Sequence, residues 1–498
     1  MSAAGAAMAA LEYIPIGARM KEVVAEKPDA PAISDKDATL TWRELHRRSN
    51  RMARGMLKKG VKLGDFVTIA LPNGNAFIET CYACWKIGAT PQPVSSRLPA
   101  AELAAIVELA NPPIVVADHA MESPKPVVTA RDLLDASSDD SDLPDAIAPS
   151  WKAPTSGGST GRPKLIVSGQ RGVAVKGGVE GSFWRYDGDS TVLMPGPLYH
   201  NGPFGTVFGA LNAGAHVIVM PKFDAEETLR LIQEHKVDWI YLVPTMMSRI
   251  WRLPNREQYD VSSLKTVWHL AAPCPPHLKE AWIHWLGGEV IMELYAGTEA
   301  QAITVITGAE WLTHRGSVGR VLGGGQMAAF DAHGHKLPPG ETGEIYMKRN
   351  PDLPPSYRYI GAEPRTLPGG WESLGDIGWF DEDGYLYLAD RRTDMILVGG
   401  ANIYPAEIEA ALDEHPLVAS SAVIGLPHEE LGNLVHAIIQ PRPGLDLEDL
   451  KRHMAERLVL YKQPRSYELV SENVRDDAGK VRRTALRDER IARTRAGG

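Results

Sequence analysis

Residues 229–245 read Leu-Arg-Leu-Ile-Gln-Glu-His-Lys-Val-Asp-Trp-Ile-Tyr-Leu-Val-Pro-Thr. Apolar residues stand at helical spacing among charges in the first half; a short bulky apolar run stopped by proline follows. The stretch therefore reads as an amphipathic helix feeding a buried strand. The same alternation occurs upstream, where Ile-Val-Glu-Leu-Ala is followed by Pro-Ile-Val-Val-Ala-Asp-His-Ala. From Thr39 to Leu57 a strand-like start leads into a helix with Thr41 as candidate N-cap, and residues 66–74, Phe-Val-Thr-Ile-Ala-Leu-Pro-Asn-Gly, form a β-branched run ended by a turn signal. Short buried strands alternating with helices predict an α/β fold, with parallel sheets covered by helices.

The chain has 498 residues, too many for one core, so at least two domains are expected. Beyond Gly340 the texture changes to short alternating strands joined by Asp-Gly and similar turns, a β-rich region. After Pro405 helix and strand return, predicting a separate α+β domain of roughly 100 residues. The acidic, proline-punctuated stretch 136–150 is expected to be an exposed connection. Apolar content of 44%, charged content of 23% and a net charge of −9 suit a folded protein without a basic field for nucleic acid. The alanine-rich start lacks the pattern of a secretory signal, and no run is long and apolar enough for a membrane span, so a cytoplasmic enzyme is expected. The three cysteines fit a reducing compartment. Cys81 and Cys84 form a CxxC inside a helical apolar pattern with no second Cys/His pair nearby, which reads as core packing.

Residues 155–164 run Thr-Ser-Gly-Gly-Ser-Thr-Gly-Arg-Pro-Lys. Glycines let backbone N–H groups approach phosphate oxygens, hydroxyls add donors and Lys164 adds charge, so the loop suits a nucleotide triphosphate. It is not a Walker A loop, because Pro163 precedes the lysine and Leu165 follows it. Taken alone, such a stretch reads equally well as a flexible loop.

Together with several separated motifs, the loop resembles the adenylate-forming superfamily of acyl- and aryl-CoA synthetases, luciferases and peptide-synthetase adenylation domains, and the resemblance runs nearly end to end. It implies that Thr155, Ser156, Gly157, Gly158, Ser159, Thr160, Gly161 and Lys164 hold ATP phosphates, with one glycine more than the family pattern. Pro197 to Gly202 resembles the segment whose aromatic or histidine side chain, here His200, gates the acid pocket. Tyr295-Ala296-Gly297-Thr298-Glu299 is similar to the segment that stacks adenine with Tyr295, meets the α-phosphate with Thr298 and holds Mg²⁺ with Glu299. Ala271, Ala272 and Pro273 resemble the loop on the other face of adenine. Asp376 and Arg391 resemble the two ribose contacts.

The resemblance further implies a large domain over 1–391, a hinge at 392–394 with Thr393 as pivot, and a small mobile domain over 395–498. Residues 477–483 look like the lysine loop of that small domain, which makes Lys480 the foremost catalytic candidate. Gly399 and Gly400 would let a pantetheine arm pass. Candidate acid-pocket residues Phe183, Trp184, His200, Phe204, Trp268, Ala271, Ala296 and Gly297 combine aromatic walls with small residues, suiting a flat or ring-bearing acid.

The implied activity is ATP-dependent conversion of a carboxylic acid to an acyl-adenylate, with Mg²⁺, followed by transfer to CoA. Direct transfer to an amine, as in amide bond synthetases, stays open as the alternative, and so does a homodimer. A peptide-synthetase module would carry a carrier domain, a P-loop kinase a different lysine loop, and a non-catalytic adenylate binder no lysine at position 480.

Overall fold

The Thr41 hydroxyl accepts a hydrogen bond from the Glu44 amide at 3.2 Å, and the Glu44 carboxylate accepts from the Thr41 amide at 2.8 Å. This reciprocal cap satisfies two otherwise orphaned donors and starts the helix Trp42–Lys58 where the sequence predicts it. The computed structural model describes residues 11–119, 121–157, 163–178, 183–391, 394–398, 401–428, 431–476 and 479–496.

The stretch 229–245 forms the end of the helix Ala225–His235, the buried strand Trp239–Leu242 and the start of the helix Pro244–Trp251. That strand lies in the middle of a nine-stranded sheet. Its strands from Pro31–Ser34 across to Ile291–Ala296 pair in parallel; the edge partners Thr39–Thr41, Ile303–Thr307 and Arg320–Leu322 are antiparallel. A second, four-stranded parallel sheet contains Phe66–Ala70, Thr90–Pro93, Val115–Ala117 and Val127–Thr129.

One apolar core unites these layers, and the helix Asn75–Lys86 runs through it with nearly every residue buried. Cys81 and Cys84 are unbridged core residues on that helix, and burial pushes both thiols up, so they pack and do not react. Its two charged residues are paired in the interior. Glu79 receives the Arg48 guanidinium, and the Lys86 ammonium donates to the Asn50 side chain at 2.6 Å and the His46 carbonyl at 2.9 Å.

The stretch 136–150 is irregular, as expected, yet it is not simply exposed. Asp140 and Asp142 receive Arg47 and His46 from the Trp42–Lys58 helix, and Ser137, Ala148 and Ser150 are buried. Its acidic side chains thus strap the loop to a basic helix face.

Past Gln326 lies a five-stranded antiparallel sheet with its own small core. The C-terminal unit packs the helices Pro405–Asp413 and Leu447–Arg457 on a sheet of Val418–His428, Gly432–Pro441 and Ser466–Leu469, again around a separate core. The fold is therefore α/β, with a large N-terminal domain and a small C-terminal one.

Candidate active site

A cleft of about 2460 Å³ separates the two domains and is lined from both. The strand Thr155–Gly157 pairs with Pro163–Ser168 so that Ser156 faces Lys164 across the ladder. The Thr155 hydroxyl accepts from Gln92 Nε2 at 2.9 Å, and Gln92 Oε1 accepts from Thr68 at 2.6 Å, so the loop's entry is anchored to the second sheet. Gly158, Ser159, Thr160 and Gly161 lie outside the described residues, as do Thr393, Gly399, Gly400 and the side chains of Ser156 and Arg391.

Lys164 stands 3.7 Å from Glu299 Oε1 and 3.9 Å from the ring centroid of Tyr359. The Tyr359 hydroxyl donates to the same Glu299 oxygen at 2.5 Å, and burial together with the Glu299 charge pushes its phenol well up. Glu299 itself is buried. A buried carboxylate beside a lysine and the phosphate-type loop offers one hard oxygen to Mg²⁺, with phosphate and water left to complete the shell, so the donor set fits that ion shared with a nucleotide.

Tyr295, near the end of the central-sheet strand Ile291–Ala296, donates its hydroxyl to Asp376 Oδ2 at 2.6 Å; Asp376 is buried in the strand Trp371–Phe380. Arg391 is the register partner of Asp376 across the neighbouring strand. Gly297 is closely packed: a Cβ there would lie 2.2 Å from Leu374 Cδ1, so any side chain would displace Leu374. Ala271, which lines the cleft with Ala272 and Pro273, holds a left-handed backbone with φ of 77°. Such strain in a non-glycine residue persists only where the surroundings impose it.

His200 caps the helix Asn201–Ala213 without a side-chain capping bond, and its Nε2 has no hydrogen-bond partner among the described residues. Burial, and secondly the positive charge of Lys480, push its imidazole down to about 3, so it is neutral at working pH. Lys480 is exposed on a loop closed by Asp476, whose carboxylate accepts the Lys480 amide at 2.9 Å. Gly479, with φ of 76°, lets this loop approach the large domain; a Cβ there would meet Thr245 Oγ1 at 2.9 Å. Buried Glu409 receives both Arg475 and Arg483 at 2.8 Å, so one carboxylate braces the two ends of the lysine loop.

Among the acid-pocket candidates, Phe183, Trp184, His200, Ala271, Ala296 and Gly297 line the cleft. Phe204 and Trp268 do not. Both are fully buried one layer behind the wall, where the Trp268 indole donates to the Trp184 carbonyl at 3.0 Å and its ring lies 5.0 Å from that of Trp184. They shape the pocket through the residues they support.

The model of the AMP-binding enzyme family matches residues 20–351, and that of the AMP-binding enzyme C-terminal domain matches residues 407–480. The chain belongs to the AMP-binding enzyme family. Among its relatives, a feruloyl-CoA synthase of an Amycolatopsis species is 32% identical over 92% of this chain and 96% of its own. A fatty acid–[acyl-carrier-protein] ligase of Streptomyces coeruleorubidus is 29% identical over 93% and 94%. Of solved structures, o-succinylbenzoate coenzyme A synthetase of Bacillus subtilis, in complex with ATP and magnesium ion, superposes with a TM-score of 0.80 at 25% identity, covering 95% of this chain and 100% of that one.

Within this AMP-binding enzyme, sequence reasoning missed Tyr359, Gln92 and Lys152. Tyr359 belongs to the run Tyr-Arg-Tyr-Ile, where alternating aromatics announce a strand with one wet face. Gln92 and Lys152 carry no such signal, since each acquires its role only from partners distant in sequence. Among the described residues no helix is long and apolar enough to cross a membrane.

Proposed function

We propose that this chain is an AMP-forming acid–CoA ligase. The observation that carries the proposal is the Lys480 loop, which lines the same cleft as Tyr295, Asp376 and Glu299.

A carboxylate is a poor electrophile because oxide would have to leave. In the first step a carboxylate oxygen attacks the α-phosphorus of ATP in line, the bond to the bridging oxygen breaks, and pyrophosphate departs with the electron pair. Charge on the phosphoryl oxygens calls for placed donors and cations more than for covalent help. Lys480 and Thr298 are proposed to meet the α-phosphate, and the Thr155–Lys164 loop the leaving phosphates. Asp376 and Arg391 are assigned to the ribose, Tyr295 and Ala271–Pro273 to adenine. Mg²⁺, held through Glu299, would neutralise phosphate charge. Neutral His200 can border the acid without adding charge.

In the second step the CoA sulfur attacks the acyl carbon, AMP leaves, and the thiol proton goes to solvent. The domains would pivot at 392–394, withdrawing Lys480 and bringing Gly399–Gly400 to the acceptor. A cytoplasmic setting, where ATP and CoA are available and three unbridged cysteines stay reduced, agrees with this reading.

The test is mass spectrometry of products from ring-bearing acids with ATP, supplying CoA or simple amines separately. Acyl-CoA without amide supports the ligase; amide formed at saturable amine concentration without CoA overturns it.

A further inference from the structure

Lys152 is a charged residue in the wrong kind of place. Only 7% of it is exposed, yet it lines the cleft. Its ammonium donates to Asn201 Oδ1 and lies 4.2 Å from the Trp151 ring centroid and 5.8 Å from that of Phe204. Among the described residues it has no other hydrogen bond and no carboxylate partner. Burial alone pushes its amine down to about 7. A buried cation normally requires pairing, because leaving water costs more than one neutral hydrogen bond returns.

The surroundings indicate what would complete the pairing. The ammonium sits beside the first turns of the Asn201–Ala213 helix, where the nearest atoms to a Cβ on Gly205 are Lys152 Nζ and a Trp151 ring carbon, both at 3.9 Å. Gly205 therefore leaves room for a carbon in van der Waals contact with the amine. It lies five residues beyond the N-cap His200, a rise of about 7.5 Å at 1.5 Å per residue. That rise is close to the oxygen-to-oxygen span of a benzene ring that carries a carboxylate and a carbonyl para to each other. The Trp151 ring stands beside the amine, and Tyr186 and Trp184 also line the cleft.

We propose that Lys152 is a specificity-determining residue that binds a hydrogen-bond-accepting oxygen on the acid, carried by a carbonyl or second carboxylate about one ring's length from the reacting carboxyl. This rests on the acid-activation reading above. The ring is held by the aromatic wall, the reacting carboxyl points to His200 and Lys480, and the distal oxygen takes the place of water at the ammonium. A hydrogen bond to a charged donor in such a recess discriminates strongly, since an acid lacking the oxygen leaves the amine unpaired.

The experiment compares isosteric pairs: para-acetylbenzoate against para-isopropenylbenzoate, and terephthalate against the same alkene. Acid-dependent ATP–pyrophosphate exchange and the rise in melting temperature with MgATP are both recorded, on wild type, Lys152→Met and Asn201→Asp. Wild type is expected to favour the oxygen-bearing member at least about tenfold in kcat/KM, mostly through KM. Lys152→Met should collapse that ratio towards one, and Asn201→Asp, which pairs the ammonium internally, should lower it. A ratio in Lys152→Met equal to that of wild type overturns the proposal, whether or not rates fall uniformly, and so does a wild type that makes no distinction by either readout. Failure of the acid-activation reading shows separately, as absence of exchange with every acid while the melting shifts still report or deny the pairwise preference.

Discussion

Arg252 of the large domain donates from Nη1 to the Val418 carbonyl of the small domain at 2.9 Å, and from Nη2 to the Asp413 carbonyl at 2.8 Å. Burial pushes the guanidinium down, secondarily because Arg442 lies near. One side chain thereby ties together the domains whose apposition seats Lys480 over the cleft. Arg252→Ala is expected to slow acid-dependent ATP–pyrophosphate exchange about tenfold, since losing charged hydrogen bonds worth one or two kcal/mol unseats the lysine loop. Thioester formation from supplied acyl-adenylate should change less than threefold. An equal loss in both half-reactions would show that Arg252 supports the large domain alone.

Lys480 is exposed, and its loop is closed by backbone contacts with Asp476 that do not involve its ammonium. Lys480→Ala keeps those backbone contacts and is expected to remain folded while lowering exchange by roughly 100-fold or more, the scale for removing a positioned transition-state donor. Near-normal exchange in the folded variant would remove the catalytic assignment.

The alternating pattern was legible because burial on both faces of a strand demands continuous apolar residues. Trp239–Leu242 and Phe66–Ala70 accordingly stand where their sequences place them. Tyr295, Asp376 and Glu299 were legible as motifs assigned to one nucleotide, though the direct Tyr295–Asp376 bond, between residues 81 apart in the chain, was not. Lys152 was missed because a lone lysine ordinarily reads as solvated charge, and only the fold encloses it with Trp151 and Asn201. Phe204 and Trp268 were misplaced for the converse reason. Large aromatics near a pocket also serve as its foundation, and sequence does not tell the first layer from the second.

Three imidazoles give the fold a predicted weakness to acid. Burial pushes His200 to about 3, His216 to about 4 and His269 to about 4, from the usual 6.5. Between 6.5 and those values the unfolded chain binds protons that the folded chain excludes, so stability falls as pH drops through this window. Each group contributes up to about 1.4 kcal/mol per pH unit. His269 is wholly buried, and neither ring nitrogen has a hydrogen-bond partner among the described residues. His269→Leu should accordingly flatten the decline in urea midpoint between pH 6.5 and 5; a slope equal to wild type would show that other groups control acid unfolding.

Lys152 makes the opposite demand on pH. Its usual 10.5 falls to about 7 in the fold, so between those values the unfolded chain holds a proton that the folded chain has released. Stability from this group therefore rises as pH increases from 7 to 10.5, and the burden of a buried ammonium is fully present below 7. Lys152→Met keeps the volume and removes the charge. In the absence of acid it should be more stable than wild type by about 1–3 kcal/mol at pH 6, with the gap closing towards pH 10. Para-acetylbenzoate should narrow the gap at pH 6 by stabilising wild type alone. A Met variant that melts below wild type at pH 6, or a gap independent of pH, would mean that Asn201 and Trp151 already satisfy the amine and that no ligand oxygen is required to pair it.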